Sequence, residues 1–542
     1  MPDPGPVHGA AGPLAARRGL HLLRAGPGRA VVPRLRLPAS RAGRPQLQPR
    51  PTDDAPRAEG APHPRIAVSD PQPARRGGAL SGPPVPPTPT PGDGVRPMTF
   101  REGLIRARSH IIFLLALLTA FPLIIALDRI GTPPAATAPR DDATDALVAG
   151  ERLPLAAQAP LRADQLEWGR IAWRYFRANI DPDTGLANSA DRYPSTTMWD
   201  TGSFLLGLIS AHRIGVIDEA EFDDRLDRAL DSLARLPLFD GALPNKAYHT
   251  HTLAMVDYNN QPTERGLGWS ALDIARLMVP LQVIRQDYPD KAAAVDHIIS
   301  RWDLSRLVRN GVLIGSASPG GAATTLHQEG RIGYEEYAAK ALILAGLDAY
   351  QAWRTDDTIA FADVEGVQVP IDDRVAERYG AQVYATSEPY ILDGLEFGFD
   401  TRSRAFAEQV YRAQAARFDH TGILTAVSEG HLDRPPNFAY ATVWGNGAPW
   451  AVLTDTGERV DRLRTLSTKT AFAWDALLDT PYTKRLVAEA VTMNNPQGGW
   501  IEGRYEADGK PNGAETANTN GIVLETLRYR AFGPIVNRHP GP

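Results

Sequence analysis

The stretch TTMWDTGSFLLGLISAHRIGVID, residues 196–218, shows the pattern that decides the fold. Its polar and aromatic opening leads into a long apolar segment with helical spacing, and Gly215 marks the end of that segment. Residues 218–236 begin a second helical pattern after a connection of only a few residues. Because so short a connection forces two helices to lie antiparallel, the stretch predicts a helical hairpin.

The same pattern recurs to the end of the chain. Helical periodicity dominates from about residue 162, and only Val364–Ile371 has the character of a strand. Twelve helices are predicted: one that begins near Leu166, then 201–213, 218–236, 270–285, 289–301, 335–350, a weak one at Asp372–Tyr379, Glu388–Gly398, 401–418, 468–478, 481–493 and 518–531.

Connection lengths indicate how these helices are arranged. The connections after residues 213, 285, 398 and 478 are short, whereas most of those before 200, 270, 335, 468 and 518 are long. This alternation predicts antiparallel pairs closed into a ring, an all-α (α/α)6 toroid over residues 161–535 with its inner helices after the long loops. The weak helix at 372–379 interrupts the alternation. A superhelical repeat array is the alternative, but no fixed sequence period supports it.

The first 97 of the 542 residues have a different composition from the rest. They hold 22 of the 47 prolines and 14 arginines, but only six acidic residues and no tryptophan or tyrosine. Such a segment buries too little apolar surface to fold, so we expect a disordered leader, with Met98 as the alternative start. The remaining residues carry 44 basic and 57 acidic groups, a net charge of −13 that argues against nucleic-acid binding.

An uncharged stretch, HIIFLLALLTAFPLIIAL at residues 110–127, follows three arginines. Eighteen helical residues span about 27 Å, close to the thickness of a bilayer core. We therefore expect a signal anchor with a transmembrane helix at residues 98–129, an exported C-terminal part and a linker at 130–160. A cleaved signal peptide with its site near Ala136–Ala138 is the alternative.

Polar and aromatic residues cluster where the predicted inner helices begin. The segments are MWDTGS, GLGWSALD, GYEEYAAK, TSEPYILDGLE, LSTKTAFAWD and TANTNGIVLE. Helix capping explains their hydroxyl, amide and aspartate groups but not the neighbouring aromatic rings. Six such segments at one end of a ring predict a polar pocket with aromatic walls.

Several chemistries lack support. The chain has no cysteine, no Gly-Xaa-Ser-Xaa-Gly elbow, no phosphate loop and no alternation of strands and helices for a dinucleotide. His249 and His251 have no third histidine near them in sequence and are interpreted as loop residues, so neither a metal nor another cofactor is predicted.

Carboxylates give the strongest functional signal, because glycoside hydrolysis uses two carboxyl groups across the scissile bond. Glu335 or Glu336 is the expected general acid, and Asp200 or Glu388 the expected base for an inverting reaction; Asp200 as a helix cap and a surface glutamate pair are the alternatives. The candidate substrate-binding residues are Trp199, Tyr258, Trp269, Asp273, Tyr334, Asp393, Glu396, Trp444, Trp500, Glu502 and Asn520.

The quoted motifs, with TTMWDTGSFLLGLISAHRIGVID and SEPYILDGLEFG among them, also resemble the bacterial domain-of-unknown-function family numbered 3131, over about residues 162–533. That family is in turn distantly similar to (α/α)6 β-1,2-glucanases and to the glucoamylase-like domain of cyclic glucan synthases. The resemblance implies a periplasmic enzyme, which the predicted anchor at residues 110–127 would hold to the inner membrane with its C-terminal domain in the periplasm. There it would hydrolyse or transglycosylate a glucan or exopolysaccharide. A non-catalytic polysaccharide-binding or assembly subunit and a polysaccharide lyase remain the alternative functions.

Overall fold

Helices provide the framework of the chain. A computed structural model describes residues 140–318, 323–375 and 382–536. Its helices are α1 Arg140–Ala149, α2 Ala163–Asn179, α3 Met198–Arg213, α4 Glu219–Arg235, α5 Ala271–Asp287, α6 Ala292–Ser300, α7 Tyr334–Leu344, α8 Tyr350–Arg354, α9 Glu388–Leu392, α10 Thr401–Thr421, α11 Thr468–Leu477, α12 Pro481–Ala490 and α13 Ala517–Phe532.

Six of these helices contact one another in a closed cycle. The order is α3, α5, α7, α9, α11, α13 and back to α3, and these are the helices predicted to form the inner ring. All except α9 are buried along nearly their whole length, which explains why their sequences lack a polar face.

A second helix accompanies each member of the ring. Helix α4 packs on α3, α6 on α5, α8 on α7, α10 on α9, α12 on α11, and α2 on α13. Helices α4 and α12 have one apolar face and one charged face, as expected for helices between a core and solvent.

Helix α9 is the irregular member of the ring. It continues beyond Leu392 as a single π turn, Asp393–Phe397, and ends at Gly398 with φ +76°. A Cβ at Gly394 would lie 2.5 Å from the Phe399 ring and 2.6 Å from Leu477, so close helix packing requires glycine there. Turns of this kind widen a helix and often occur at functional sites.

The long loops contain short antiparallel strands. These are β1 Ser195–Thr197, β2 Leu238–Phe239, β3 Leu243–Pro244, β4 Ala247–His249, β5 Val308–Arg309, β6 Val312–Ala317, β7 Thr325–Gln328, β8 Ile359–Val364, β9 Val367–Asp372, β10 Tyr384–Ala385, β11 Glu429–His431, β12 Phe438–Ala441, β13 Trp444–Gly445, β14 Ala448–Pro449, β15 Val452–Leu453, β16 Thr465–Ser467, β17 Ile501–Tyr505 and β18 Pro511–Glu515.

The strands correct the prediction of an all-α chain. Loops of this length must satisfy their backbone amide and carbonyl groups, and pairing into hairpins does so. The predicted β-like stretch is part of the hairpin β8–β9. The predicted weak helix at 372–379 is wrong at its start, because Asp372 ends β9, and residues 376–381 lie outside the described part of the chain.

Part of the predicted linker is ordered against the ring domain. Helix α1 packs on α10, and the Arg152 guanidinium donates to the carbonyls of Leu147 and Val148 at the end of α1. Leu155 forms a bridge with Leu478. Residues 140–160 therefore contact the ring domain, which the sequence-based expectation of a linker did not include.

The remaining N-terminal predictions concern residues outside the described ranges. The leader at 1–97 and the anchor helix at 110–127 both lie there. Among the residues that the structure describes, no helix is both long enough and apolar enough to cross a membrane.

Candidate active site

Hydroxyl caps fix the first turns of the ring helices and with them two aspartates. Thr197 caps α3 by accepting from the Asp200 amide (3.0 Å), and its own hydroxyl donates to Asp200 Oδ2 (2.7 Å). Ser270 does the same at α5, where its hydroxyl donates to Asp273 Oδ1 (2.9 Å). The two carboxyl groups thus lie at the mouth of the ring, on adjacent helices, in orientations set by their caps.

Glu388 is a central contact point of the ring rather than an open carboxylate. Oε1 accepts from Trp199 Nε1 (3.3 Å) and Asn518 Nδ2 (2.8 Å), while Oε2 accepts from Ser428 Oγ (3.2 Å) and pairs with Lys469 Nζ (2.5 Å). Burial disfavours its charge, but Lys469, Asn518 and the more distant Arg276 together hold the pKa of Glu388 below its usual value.

This carboxylate therefore does not match the predicted role of a base that activates water. Glu388 is fully buried, and donors occupy both of its oxygens. A general base needs a free lone pair directed at the proton it removes. The arrangement instead joins α3, α9, α11 and α13 at their first turns.

A belt of aromatic rings extends from Glu388 to the loops above the ring. Trp199 packs on Tyr334 with centroids 5.6 Å apart, Tyr334 on Tyr384 (6.3 Å), and Tyr384 on Tyr440 (4.8 Å). Trp199, Tyr384 and Tyr440 are half-buried, so each exposes part of its surface. Partly exposed aromatic faces in a polar cleft are suited to packing on the apolar faces of sugar rings.

Asp273 combines partial exposure with an unusual proton affinity. Burial, followed by the charge of Glu329, raises its pKa to about 7; Asp200 adds to the effect, whereas Ser270 and Lys246 oppose it. Glu329 is held at the start of the same helix, where its Oε2 accepts from the Ala271 amide (2.5 Å). At neutral pH, Asp273 can therefore hold a proton that it could donate.

Glu429 is a second carboxyl group with a raised pKa. It begins β11, directly opposite Tyr440 in the register of the hairpin β11–β12. Burial raises its pKa to about 7, with Glu502 raising it further and Lys469 opposing. Both Glu429 and Asp273 contribute to raising the pKa of Tyr440, so this phenol lies within electrostatic reach of both carboxyl groups.

A cavity adjoins Glu429. It has a volume of about 10 Å³, and its walls include Ser428, Glu429, Ser467 and Glu502. This is close to the smallest space that holds one water molecule, and the walls offer several polar partners. Glu502, predicted to bind substrate, faces this cavity but is held by the hydroxyls of Thr516 (2.5 Å) and Thr519 (2.9 Å).

Below the mouth, a charged network fills the centre of the ring. The fully buried Arg276 contacts Glu396 (2.5 Å), Glu525 (3.1 Å), Tyr337 (3.0 Å) and Ser203 (3.1 Å), and Trp199 lies over its guanidinium. Burial raises the pKa of both glutamates, with Arg276 opposing. This position does not favour the predicted contact of Glu396 with substrate, because Glu396 is fully buried and paired with Arg276.

Glu335 belongs to a separate cluster on α7. Its Oε2 pairs with Arg374 Nη2 (2.6 Å), its Oε1 accepts from Gln328 (3.1 Å), and only 2% of the residue is exposed. Burial raises its pKa, while Arg374 and Arg331 oppose the shift. Because Arg374 binds one oxygen and Gln328 the other, the structure favours a structural role over the predicted catalytic one.

Glu336 points away from the mouth and caps its own helix. Its Oε2 accepts from the Gly333 amide (2.5 Å), and its Oε1 accepts from the Thr355 hydroxyl (2.9 Å). Burial raises its pKa to about 7. The prediction of Glu336 as general acid therefore needs correction, since the carboxyl group lies between α7 and α8 rather than in the cleft.

We expect Glu336→Gln to retain wild-type activity within about threefold. The glutamine amide can accept from Gly333 and donate to the Thr355 oxygen. Since the glutamate pKa is raised to about 7, its ionisation destabilises the folded chain increasingly between about pH 5 and 7. Melting curves at pH 5 and pH 8 should show a gain in stability for the variant at pH 8 only; an equal shift at both values would contradict this interpretation.

Asp393 is also directed into the wall of the ring. It pairs with Lys340 (2.5 Å), which also contacts Asp400 (2.7 Å) and the Ser403 hydroxyl (3.2 Å). Burial raises the pKa of Asp393, although Lys340 opposes this. This position does not favour its predicted role in substrate binding, because the ion pair joins the π turn after α9 to Lys340 of α7.

Three further predicted binding residues are core residues. Trp269 is 3% exposed and donates to the Ile314 carbonyl (3.0 Å), and Trp500 is fully buried and donates to the Trp168 carbonyl (3.1 Å). Asn520 is fully buried and holds the Trp500 backbone at both its amide and its carbonyl. Trp444 is half-buried on β13 beside Ala385, and its contact with substrate stays a prediction.

The surface holds one cluster with possible metal ligands among the described residues. Ligand atoms of Asp181, Asp183 and His251 lie within 4.8 Å of one another. His251 Nδ1 hydrogen-bonds to Asp181 (2.9 Å). His249 Nδ1 accepts from the amides of His251 (3.2 Å) and Thr252 (3.3 Å), so it shapes its own loop.

Known structures share the helical architecture. A candidate glucoamylase from Bacteroides caccae is 14% identical, with 69% of this chain and 94% of that chain covered and a TM-score of 0.52. A second candidate glucoamylase, from Bacteroides fragilis, is 14% identical over 70% and 94% of the two chains, with a TM-score of 0.50. At this identity, the similarity establishes the fold alone.

An endo-β-1,2-glucanase from Chitinophaga pinensis, solved with sophorotriose and glucose, is 13% identical over 69% of this chain and 94% of that chain, with a TM-score of 0.49. No curated protein sequence matches the chain. The model of one family, described as protein of unknown function (DUF3131), matches residues 167–533, most of the chain. The chain therefore belongs to the DUF3131 family.

Proposed function

We propose that this protein is a glycoside hydrolase or transglycosylase that acts on a glucan or exopolysaccharide. Its ring domain would be an (α/α)6 toroid with the active site at the mouth. The observation that carries the proposal is the position of Asp273, a half-buried carboxyl group with a pKa of about 7 at the start of a ring helix, within electrostatic reach of Tyr440 in the aromatic belt. The helical architecture shared with two candidate glucoamylases adds support at the level of fold.

In the proposed reaction, Asp273 donates its proton to the glycosidic oxygen as the C–O bond breaks. A water molecule attacks the anomeric carbon, and Glu429 accepts the proton that this water loses. The cavity beside Glu429 has room for one water molecule, which is why we assign the base to this side of the cleft. Attack from the face opposite the leaving group would invert the anomeric centre.

Lys469 and Glu502 would support the base. Lys469 is buried, and burial lowers the pKa of its ammonium group. The charges of Glu388, Glu502 and Glu429 outweigh burial, so the pKa of Lys469 is raised overall. A single ammonium among three carboxyl groups limits how many of them ionise together. Neutral Glu429 would thus lose its proton near pH 7 and become competent as a base.

The proposal is tested by incubating the purified chain with linear β-1,2-, β-1,3- and α-1,4-glucans and measuring new reducing ends. Wild type should cleave at least one of these glucans, and both Asp273→Asn and Glu429→Gln should lose that cleavage. The matched controls Asp348→Asn and Glu219→Gln replace exposed carboxylates and should retain it. Binding without cleavage would overturn the proposal in favour of a binding subunit, and an unsaturated product in favour of a lyase.

We also propose export of the ring domain on the anchor at residues 110–127, which rests on the sequence alone. Membranes washed with alkaline carbonate should retain the chain, whereas its release would contradict the anchor.

A further inference from the structure

An exposed tyrosine lies at the rim of the mouth. Tyr258 is 64% exposed, the highest value among the large exposed apolar and aromatic side chains of the described residues. It belongs to the loop that follows β4, the strand that pairs with β1 at the start of α3. A single exposed aromatic side chain is common at a protein surface, so the significance of Tyr258 depends on the residues around it.

The loop that carries Tyr258 is anchored to the ring. Strand β4 pairs with β1, which leads directly into α3, and the chain then folds back through the bridges Tyr248–Met255 and Val256–Pro262. Residues beyond Pro262 lead into α5, the helix of Asp273. The position of Tyr258 is therefore determined by the first turns of two ring helices.

The turn around Tyr258 is also stiff. Asp257 Oδ1 accepts from the amides of Asn259 (2.9 Å) and Gln261 (2.8 Å), and the Asp257 amide donates to the Gln261 carbonyl (2.9 Å). These bonds hold the backbone on both sides of Tyr258. A backbone that is held in place before binding loses less conformational entropy when a ligand packs on its side chains.

Tyr193 lies beside this turn and extends its surface. Its hydroxyl donates to the Tyr258 carbonyl (3.3 Å), and 38% of the residue is exposed. Crowding by the surrounding protein, followed by the charges of Asp273 and Glu329 and by Tyr440, raises the pKa of Tyr258. The Tyr258 hydroxyl is thus within electrostatic reach of the proposed acid Asp273, and Tyr193 is its exposed neighbour.

We propose that Tyr193 and Tyr258 form an outer binding platform for additional sugar units of a glycan chain. The substrate would then be an oligosaccharide or polysaccharide that extends from the cleft across the rim. This inference rests on the proposed function, because it takes the ligand of the cleft to be a glycan. It deepens that function by assigning the site to chains rather than to short saccharides.

The test measures binding rather than turnover, in the full chain carrying Asp273→Asn. Titrations use linear β-1,2-gluco-oligosaccharides and malto-oligosaccharides of two to ten units. With at least one series, affinity should rise about tenfold or more from short to long chains, and Tyr258→Ala should remove most of that gain. Tyr350→Ala, a control that removes a 53% exposed tyrosine on α8, should preserve the gain.

The possible outcomes separate the platform from the catalytic proposal. The platform is overturned if the gain in affinity with chain length persists in Tyr258→Ala. It is also overturned if the chain carrying only Asp273→Asn shows no such gain with either series. Both conclusions hold even if wild type hydrolyses glucan. A gain that depends on Tyr258 supports the platform even if wild type cleaves nothing, a result that would overturn only the hydrolase assignment. Unchanged circular dichroism and melting temperature of Tyr258→Ala confirm that the loss is local.

Discussion

Arg276→Met is expected to lower the free energy of unfolding by about 3–5 kcal/mol, the largest stability effect we anticipate. The guanidinium is fully buried and contacts Glu396 and Glu525, and its loss leaves two buried carboxyl groups without their cation. Methionine roughly fills the volume but supplies no charge. Urea unfolding at pH 8 measures the effect.

The loss should depend on pH. Burial already raises the pKa of Glu396 and Glu525, so without Arg276 they can be accommodated by taking up protons. We therefore expect a smaller loss of stability at pH 5 than at pH 8. Restoring stability by adding Glu396→Gln and Glu525→Gln would support this cause, and Arg285→Met, on the exposed end of the same helix, is the control. A loss as large in that control would contradict the account.

Asp273→Asn is expected to lower the rate of glucan cleavage by about 100- to 10,000-fold, the usual contribution of a general acid. Asparagine can still bind Ser270 but has no proton to donate. The comparison of kcat with wild type on the best glucan measures the effect. A loss confined to KM would contradict an acid role, because it would indicate weaker binding alone.

The pH dependence of wild type follows from the two raised carboxyl groups. Activity should fall above about pH 7 as Asp273 ionises and below about pH 7 as Glu429 gains its proton. The pH–rate profile should therefore be a narrow bell. Its two apparent pKa values describe Asp273 and Glu429 together rather than either residue alone. The residual activity of Asp273→Asn should no longer fall at alkaline pH, and the residual activity of Glu429→Gln should no longer fall at acidic pH. Limbs that persist in these variants would exclude the assignment.

Asp273→Asn should also stabilise the fold at pH 8. A carboxyl group whose pKa is raised to about 7 favours folding less as pH rises from about 4 to 7, because its charge is destabilised in the folded state. The neutral amide avoids this loss. A lower melting temperature of the variant at pH 8 would contradict the origin that we assign to the raised pKa.

The six ring helices could be predicted because their signal is local. Short stretches of sequence reveal the helical spacing and the hydroxyl caps, such as Ser270 and Thr516. The alternation of connection lengths can likewise be read directly from the sequence. The hairpins in the loops were missed because their strands have only two to six residues, most of them two or three, which is too short to show a clear period. The π turn after Leu392 was missed because no sequence period distinguishes it from an α-helix, and the close packing of Gly394 against Phe399 and Leu477 involves residues outside the turn.

The clustering of polar residues at the starts of the ring helices could be predicted, but the direction of most of their side chains could not. Glu335 and Glu336 are neighbours in sequence, yet one pairs with Arg374 and the other caps its helix, and the partners lie in residues 333–374 that no local pattern connects. Trp500 and Trp269 followed the expected motif but proved to be core residues.

Other residues of the site lacked a recognisable sequence signal. Arg276 is followed by the apolar run LMVPL within α5, and an arginine in that position was the one available hint of a buried ion pair. Lys469, in LSTKTAFAWD, offered a similar hint. Tyr384 and Tyr440 reach the cleft on short strands that were not predicted, and Glu429 acquires its raised pKa from burial, which sequence does not reveal.

The central claim is that the acid of this site is Asp273 and not a glutamate of α7. The most direct test compares the rates at which Asp273→Asn and Glu336→Gln cleave the best glucan at pH 7. The structure predicts at least a 100-fold loss for Asp273→Asn and less than about a threefold change for Glu336→Gln. An active Asp273→Asn beside an inactive, folded Glu336→Gln would contradict the assignment and restore the acid to α7.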